Sequence, residues 1–294
     1  MEETTTKYPI ISSIQVNNLW KRKDIIWNNV DPHINILVGP NGSGKSTLLR
    51  IINSIATNST KELDKTSCHV FLTLQDHIRI VYDGSKKGAT ISTDLGEKSL
   101  DIEYINTFDT PTSKKSEQSQ LMQELDKVIY EHKKQSFSFY DYRMKILNFP
   151  DKRKEIESRI EEFFHIIDRF FEPSEKKVKI NKNTNKLAFT FNNSNDEITL
   201  EDLSSGEKQL LIILFKVFLK ENKSTILLMD EPEMSLHIEW QSQLINAIQE
   251  LNPNCQIILS THSPSIFADG WGDKLVFMED IVKPIKKDHD SDQI

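Results

Sequence analysis

The stretch Gly39-Pro40-Asn41-Gly42-Ser43-Gly44-Lys45-Ser46-Thr47 constrains this chain more than any other. It fits the pattern G-x-x-x-x-G-K-[ST] of a phosphate-binding loop. The apolar run Ile34-Asn35-Ile36-Leu37-Val38 leads into it as a buried strand, and Leu48-Leu49-Arg50-Ile51-Ile52 leaves it as a helix. Strand, glycine loop and helix thus follow in the order that the motif needs. Glycines let successive backbone N–H groups turn inward around a polyphosphate, and the helix N-terminus adds partial positive charge. On this pattern Lys45 reaches the β- and γ-phosphates and the Ser46 hydroxyl holds Mg²⁺.

Bulk properties narrow the setting. A chain of 294 residues suits one large domain or a core with an inserted lobe, and 37% hydrophobic content with four Trp and fifteen Phe supplies a core. No apolar run approaches the ~20 residues that a bilayer crossing needs. The N-terminus, Met1-Glu2-Glu3-Thr4-Thr5-Thr6-Lys7, lacks the basic-then-apolar pattern of a signal peptide. Cys68 and Cys255 form no C-x-x-C pair. They read as buried, reduced thiols, so a cytoplasmic protein without a zinc hook is expected. Net charge is −7, which argues against a surface built wholly for nucleic acid. Residues 113–187 hold 17 Lys and Arg against 13 Asp and Glu, a mild asymmetry that a solvated helical face explains as well as a binding patch does.

In chain order, Ile10–Val16 and Ile25–Trp27 read as strands of an antiparallel edge, followed by the turn at Asp31-Pro32. Residues 69–74, 78–82 and 102–105 read as further strands. From about Thr110 the character changes: 111–120 is linker-like. Leu121, Met122, Leu125, Val128 and Ile129 repeat at helical spacing, as do Ile156, Ile160, Phe163, Phe164, Ile167, Phe170 and Phe171. These predict two helices separated by 140–151, and the aromatic stripe on the second is expected to be packing. Residues 178–180 and 187–191 suggest a hairpin. Trp20 and Trp27 are expected in core or edge packing.

Three later segments carry polar residues where a sheet presents them. Leu203-Ser204-Ser205-Gly206-Glu207-Lys208-Gln209 precedes an almost wholly apolar helix, 210–219, and is by itself a helix cap or a second anion site. Thr225-Ile226-Leu227-Leu228-Met229 is a buried strand ending in Asp230-Glu231-Pro232. Downstream of a phosphate loop, such a pair divides the work: Asp230 takes the Mg²⁺ shell, and Glu231 orients or deprotonates an attacking water. Gln256-Ile257-Ile258-Leu259 ends in Ser260-Thr261-His262-Ser263-Pro264, which puts His262 at the sheet edge where ligands bind in open α/β folds.

The ordered set of phosphate loop, L-S-x-G-E, D-E-P and T-H-S resembles the ABC-type ATPase family over residues 8–109 and 200–282. That resemblance implies an α/β head, a mixed or parallel sheet core with an antiparallel β edge and an inserted helical lobe. The implied division is 1–110 for the N-terminal lobe, 111–175 for the helical lobe, 176–285 for the C-terminal lobe and 286–294 for a polar tail. It implies ATP and Mg²⁺, with Lys45, Glu231 and His262 catalytic and with Ser46 and Asp230 on the metal. It further implies that Ser204, Ser205, Gly206 and Glu207 meet a nucleotide held by another subunit in a head-to-tail homodimer or a larger assembly. Ser235 and Leu236 would lie in the loop that crosses between subunits.

Asp-Glu-Pro-Glu-Met-Ser-Leu-His and Ser-Thr-His-Ser-Pro look like the SMC-like and OLD-like branch. The compact chain is similar to ATPase subunits of bacterial anti-phage systems of the Septu and PARIS types. Such a subunit regulates a separate effector, a nuclease first among the expectations, with DNA or RNA contact as a further one and no membrane. The alternatives are an SMC-like DNA-repair ATPase and the nucleotide-binding subunit of an ABC transporter. Ser205 stands where glycine is common. No glutamine follows Tyr104-Ile105 in the expected place, which leaves Asn106 or Asp109 as stand-ins.

Overall fold

The computed structural model describes residues 10–66, 68–84, 90–95, 100–106, 119–132, 137–192, 194 and 196–285. In chain order the elements are β1 (Ile11–Leu19), β2 (Lys23–Trp27), β3 (Ile34–Val38), α1 (Lys45–Ala56), β4 (His69–Leu74), β5 (Arg79–Asp83), β6 (Ile91–Thr93) and β7 (Ile102–Asn106). There follow α2 (Gln120–Tyr130), α3 (Phe139–Asn148), α4 (Arg153–Phe171), β8 (Lys176–Ile180), β9 (Leu187–Phe191), β10 (Glu197–Ile198) and α5 (Ser205–Phe218). The last part holds β11 (Thr225–Asp230), α6 (Ile238–Leu251), β12 (Cys255–Ser260), β13 (Leu275–Phe277), α7 (Met278–Ile281) and β14 (Val282–Pro284).

The chain divides into two units. The first comprises Met1–Asn106, Lys223–Pro232 and Asn254–Ile294, and the second Thr107–Asn222 and Glu233–Pro253. The second unit therefore takes in α5 and α6 as well as the helices of the expected lobe at 111–175.

In the first unit, β13-β3-β12-β11-β7 form a parallel sheet and β14-β2-β1-β4-β5-β6 an antiparallel one, the parallel core and antiparallel edge that the motifs imply. All six residues of β12 are buried, which fits a run of apolar side chains in a strand covered on both faces. One apolar core joins inward residues of β1 and β4, the buried stripe of α1, and Ile226, Leu228 and Ile258. Gln256 is fully buried in β12 and is satisfied there. Its amide accepts from the Ile11 N–H and donates to the Ile11 and Asp31 carbonyls.

The second unit is held by aromatic packing. Phe163 stacks on Phe218 at 4.3 Å and meets Phe215 edge-on at 4.8 Å. Phe171 stacks on Phe189 at 4.9 Å. The expected 178–191 hairpin is present as the antiparallel pair β8 and β9.

The expectation of two helices separated by 140–151 is corrected, because α3 occupies most of that interval. It opens on a capping box between Ser138 and Asp141 and buries Phe139 and Tyr142. Cys68 and Cys255 are buried and free. Among the described residues, no helix is long and apolar enough to cross a membrane. The linker at 111–120 and the tail at 286–294 lie almost entirely outside the described residues.

Candidate active site

The loop between β3 and α1 turns on glycine. Gly44, the N-cap of α1, has φ 115, a region where a side chain is strained. Lys45 begins the helix and is only 4% exposed. Its ammonium donates to the Gly39 carbonyl at 2.8 Å and lies 2.8 Å from His262 Nε2.

Parallel pairing brings the other motifs to this loop. Ser260 of β12 lies opposite Leu37 of β3 on one side and opposite Asp230 of β11 on the other. The ends of three neighbouring strands therefore meet, where open α/β sheets bind ligands. The Ser46 hydroxyl donates to Asp230 Oδ1 at 2.8 Å. His262 Nε2 is 3.7 Å from Glu231 Oε1. Sequence reasoning names Lys45, Ser46, Asp230, Glu231 and His262 separately, and the fold places all five together.

Glu231 has φ 50. A residue with a side chain held in the left-handed region costs ~1–3 kcal/mol and recurs at functional sites. Ser46 and Asp230 supply a hydroxyl and a carboxylate oxygen. That donor set suits Mg²⁺, which takes one or two protein oxygens and completes its shell from phosphate and water. Asn106 ends β7 opposite Asp230, whereas Asp109 lies outside the described residues. Tyr104 lies beside Asp230, and burial together with that negative charge raises its phenol above the ordinary value.

Trp20 corrects an expectation. Trp27 is core, at 4% exposure, but Trp20 is 41% exposed and lines the same cleft as Gly42, Lys45, Ser46, Arg50 and His262. It sits in the turn between β1 and β2 with φ 54. Lys23 stands 4.9 Å over its ring and donates to the Ser43 carbonyl at 2.7 Å. Burial lowers the Lys23 pKa. No motif includes either residue; a tryptophan in a turn of charged residues was the one available sign.

The Ser204 segment belongs to the second unit. Ser204 caps α5: its hydroxyl accepts the Glu207 N–H at 3.2 Å, and Glu207 accepts the Ser204 N–H at 2.7 Å. A Cβ on Gly206 would lie 2.3 Å from the Ser235 carbonyl oxygen, so only glycine fits. This contact locks the capping turn to the loop before α6, where Ser235 has φ 71. Ser204, Ser205, Gly206, Ser235, Leu236 and Trp240 line a cavity of about 550 Å³.

Glu207 lies beside that cavity, but its carboxylate is engaged within the fold. It is 5% exposed and meets the Lys176 ammonium at 2.6 Å. Burial pushes the carboxyl up, while Lys176 and the Ser204 N–H outweigh that push and leave it below its ordinary value.

The chain is 24% identical over 275 residues to the Septu protein PtuA of Bacillus thuringiensis, spanning 80% of this chain and 67% of that protein. It is 28% identical over 141 residues to the Retron Vc95 probable ATPase of Vibrio cholerae serotype O1 biovar El Tor, spanning 44% of this chain and 26% of that one. Its fold is similar to an SMC head bound to the C-winged helix domain of ScpA, with a TM-score of 0.60 and 15% identity, covering 94% of this chain and 98% of the other. The SMC head domain from Thermotoga maritima gives a TM-score of 0.53 at 15% identity, with 91% and 94% covered. Residues 10–110 and 95–267 match the AAA ATPase domain, a span that takes in the phosphate loop, Asp230, Glu231 and His262, and the chain belongs to that family.

Proposed function

We propose that this protein is an ATPase whose two copies close around two ATP molecules and thereby regulate a partner effector. The observation that carries the reading is the meeting of Ser46, Asp230, Glu231 and His262 beside Lys45 at the ends of β3, β11 and β12. These groups supply, in one cleft, a phosphate cradle, a metal donor pair and a base for water.

In this reading the backbone N–H groups of residues 42–47 wrap the phosphates and Lys45 neutralises their charge. Ser46 and Asp230 would hold Mg²⁺, which would supply positive charge against the phosphates during transfer. Glu231 orients the attacking water and takes its proton. His262 lies between Lys45 and Glu231 and donates toward the γ-phosphate. Trp20 offers its exposed ring to the base. Ser204, Ser205 and Gly206 of the opposite subunit present the α5 N-terminus to the γ-phosphate, completing a site that one chain holds in part. ATP then bridges two subunits, and hydrolysis removes the bridge.

The expectation of an effector, a nuclease first, is supported by the likeness to the Septu protein PtuA and to a retron probable ATPase. Glu231→Gln removes the base and keeps the cradle. It is expected to bind ATP, hydrolyse it at least ~100-fold more slowly, and accumulate as a dimer in light scattering. A variant that remains monomeric in saturating ATP overturns the sandwich.

A further inference from the structure

The two acids at the end of β11 are held by a residue to which the motifs assign no role. Ser260, the last residue of β12, is fully buried, and its hydroxyl donates to Asp230 Oδ1 at 2.6 Å. Ser46 donates to that same oxygen at 2.8 Å. The Ser260 carbonyl accepts the Glu231 N–H at 3.0 Å, and the Ser260 hydroxyl oxygen lies 3.3 Å from the same nitrogen. One serine therefore touches the side chain of the first acid and the backbone of the second.

Each contact answers a need. Glu231 is in the left-handed region, and a conformation of that kind persists only where its surroundings over-determine it. The Ser260 carbonyl and hydroxyl face the one N–H whose direction sets that turn. Asp230 has a different problem. Its carboxylate must keep one oxygen fixed so that the other faces outward: Ser46 can give an oxygen lone pair to a metal and still donate its proton, so Ser46 and Ser260 hold the same Asp230 oxygen from two sides. Partners that orient a ligand from behind set metal affinity and activity nearly as strongly as the ligand does.

We propose that Ser260 is a positioning residue for ATP hydrolysis, aiming Asp230 at the metal and holding Glu231 where it meets water. The proposal rests on the ATPase reading above. Ser260 is fully buried and acts through Asp230 and Glu231, so its effect should appear in the metal dependence and in turnover, and leave metal-free nucleotide binding alone.

The test compares Ser260→Ala and Ser260→Thr with Asp230→Asn and Glu231→Gln. Three quantities are read: ATP affinity in EDTA, Mn²⁺ binding to the ATP-loaded protein by electron paramagnetic resonance, and turnover against Mg²⁺ concentration. Ser260→Ala should keep its metal-free ATP affinity, weaken Mn²⁺ binding about tenfold and lower kcat by roughly 10–100-fold. Ser260→Thr keeps the hydroxyl and should recover most of both losses. Wild-type Mn²⁺ binding and turnover in Ser260→Ala overturn the proposal, as does a threonine variant no better than alanine. If Asp230→Asn and Glu231→Gln hydrolyse ATP as the wild type does, the ATPase reading itself fails. If both are inactive while Ser260→Ala is unaffected, only the role of Ser260 falls.

Discussion

Trp20 shows how one exposed ring changes the reading of a nucleotide cleft. Its ring lines the cleft beside Gly44 and Lys45, with Lys23 above it at 4.9 Å. A base stacked on an aromatic ring is worth ~1–3 kcal/mol. Trp20→Ala should therefore weaken ATP binding about tenfold while leaving the binding of inorganic triphosphate unchanged, as measured by calorimetry. Trp20→Phe should restore most of the loss. Equal ATP affinity in Trp20→Ala would leave the residue as surface only. At this scale the motifs were legible because their spacing follows from chemistry: a phosphate loop needs Gly44-Lys45-Ser46, and the strand end needs Asp230-Glu231. Trp20, Lys23 and the contacts of Ser260 with both acids were not legible. They reach the site through strand register and turn direction, which no local pattern encodes.

At the scale of elements, α5 decides what Glu207 does. The helix starts on a Ser204–Glu207 capping box, and the Glu207 carboxylate also pairs with Lys176 of β8 at 2.6 Å. Removing one partner of a buried pair costs ~3–5 kcal/mol, and loss of the cap adds ~1 kcal/mol. Glu207→Ala should accordingly lower stability by about 3 kcal/mol or more in urea unfolding. Its pH profile should change as well. The folded-state pKa of Glu207 is lowered, so its contribution is complete above the unfolded value near ~4.3 and is lost as pH falls through the lower folded value. Glu207→Ala should thus lose less stability than the wild type on going from neutral pH into that acid range. A variant of undiminished stability that no longer binds nucleotide would instead make Glu207 a ligand. The sequence pattern hid α3 for a related reason. Tyr140, Leu147 and Phe149 are exposed while Phe139 and Tyr142 are buried, so apolar residues face every side and no single stripe marks a helix.

At the scale of the whole molecule, the two parts of the proposed site lie in different units of the chain. The phosphate loop, Asp230, Glu231 and His262 fall in the first unit and Ser204–Gly206 in the second. The second unit collects residues from two separate stretches, with β11 of the first unit between them, so a linear reading into successive lobes could not recover it. The sandwich reading makes a demand that a self-sufficient monomer does not. Lys45→Ala spoils the cradle and leaves the α5 terminus intact. Ser205→Glu does the reverse: Ser205 is exposed at the start of α5, where an added acid suits the helix dipole but repels a docking phosphate. Each variant alone should be inactive yet folded. In a two-fold dimer, an equal mixture forms half its dimers from unlike chains, and each of these assembles one intact composite site. Turnover in the mixture should therefore recover to roughly a quarter of the wild-type rate, measured as phosphate release after the monomers are combined before ATP is added. Full activity in Ser205→Glu alone would remove the α5 terminus from the site. A mixture as inactive as its components would mean that each chain must complete its own site.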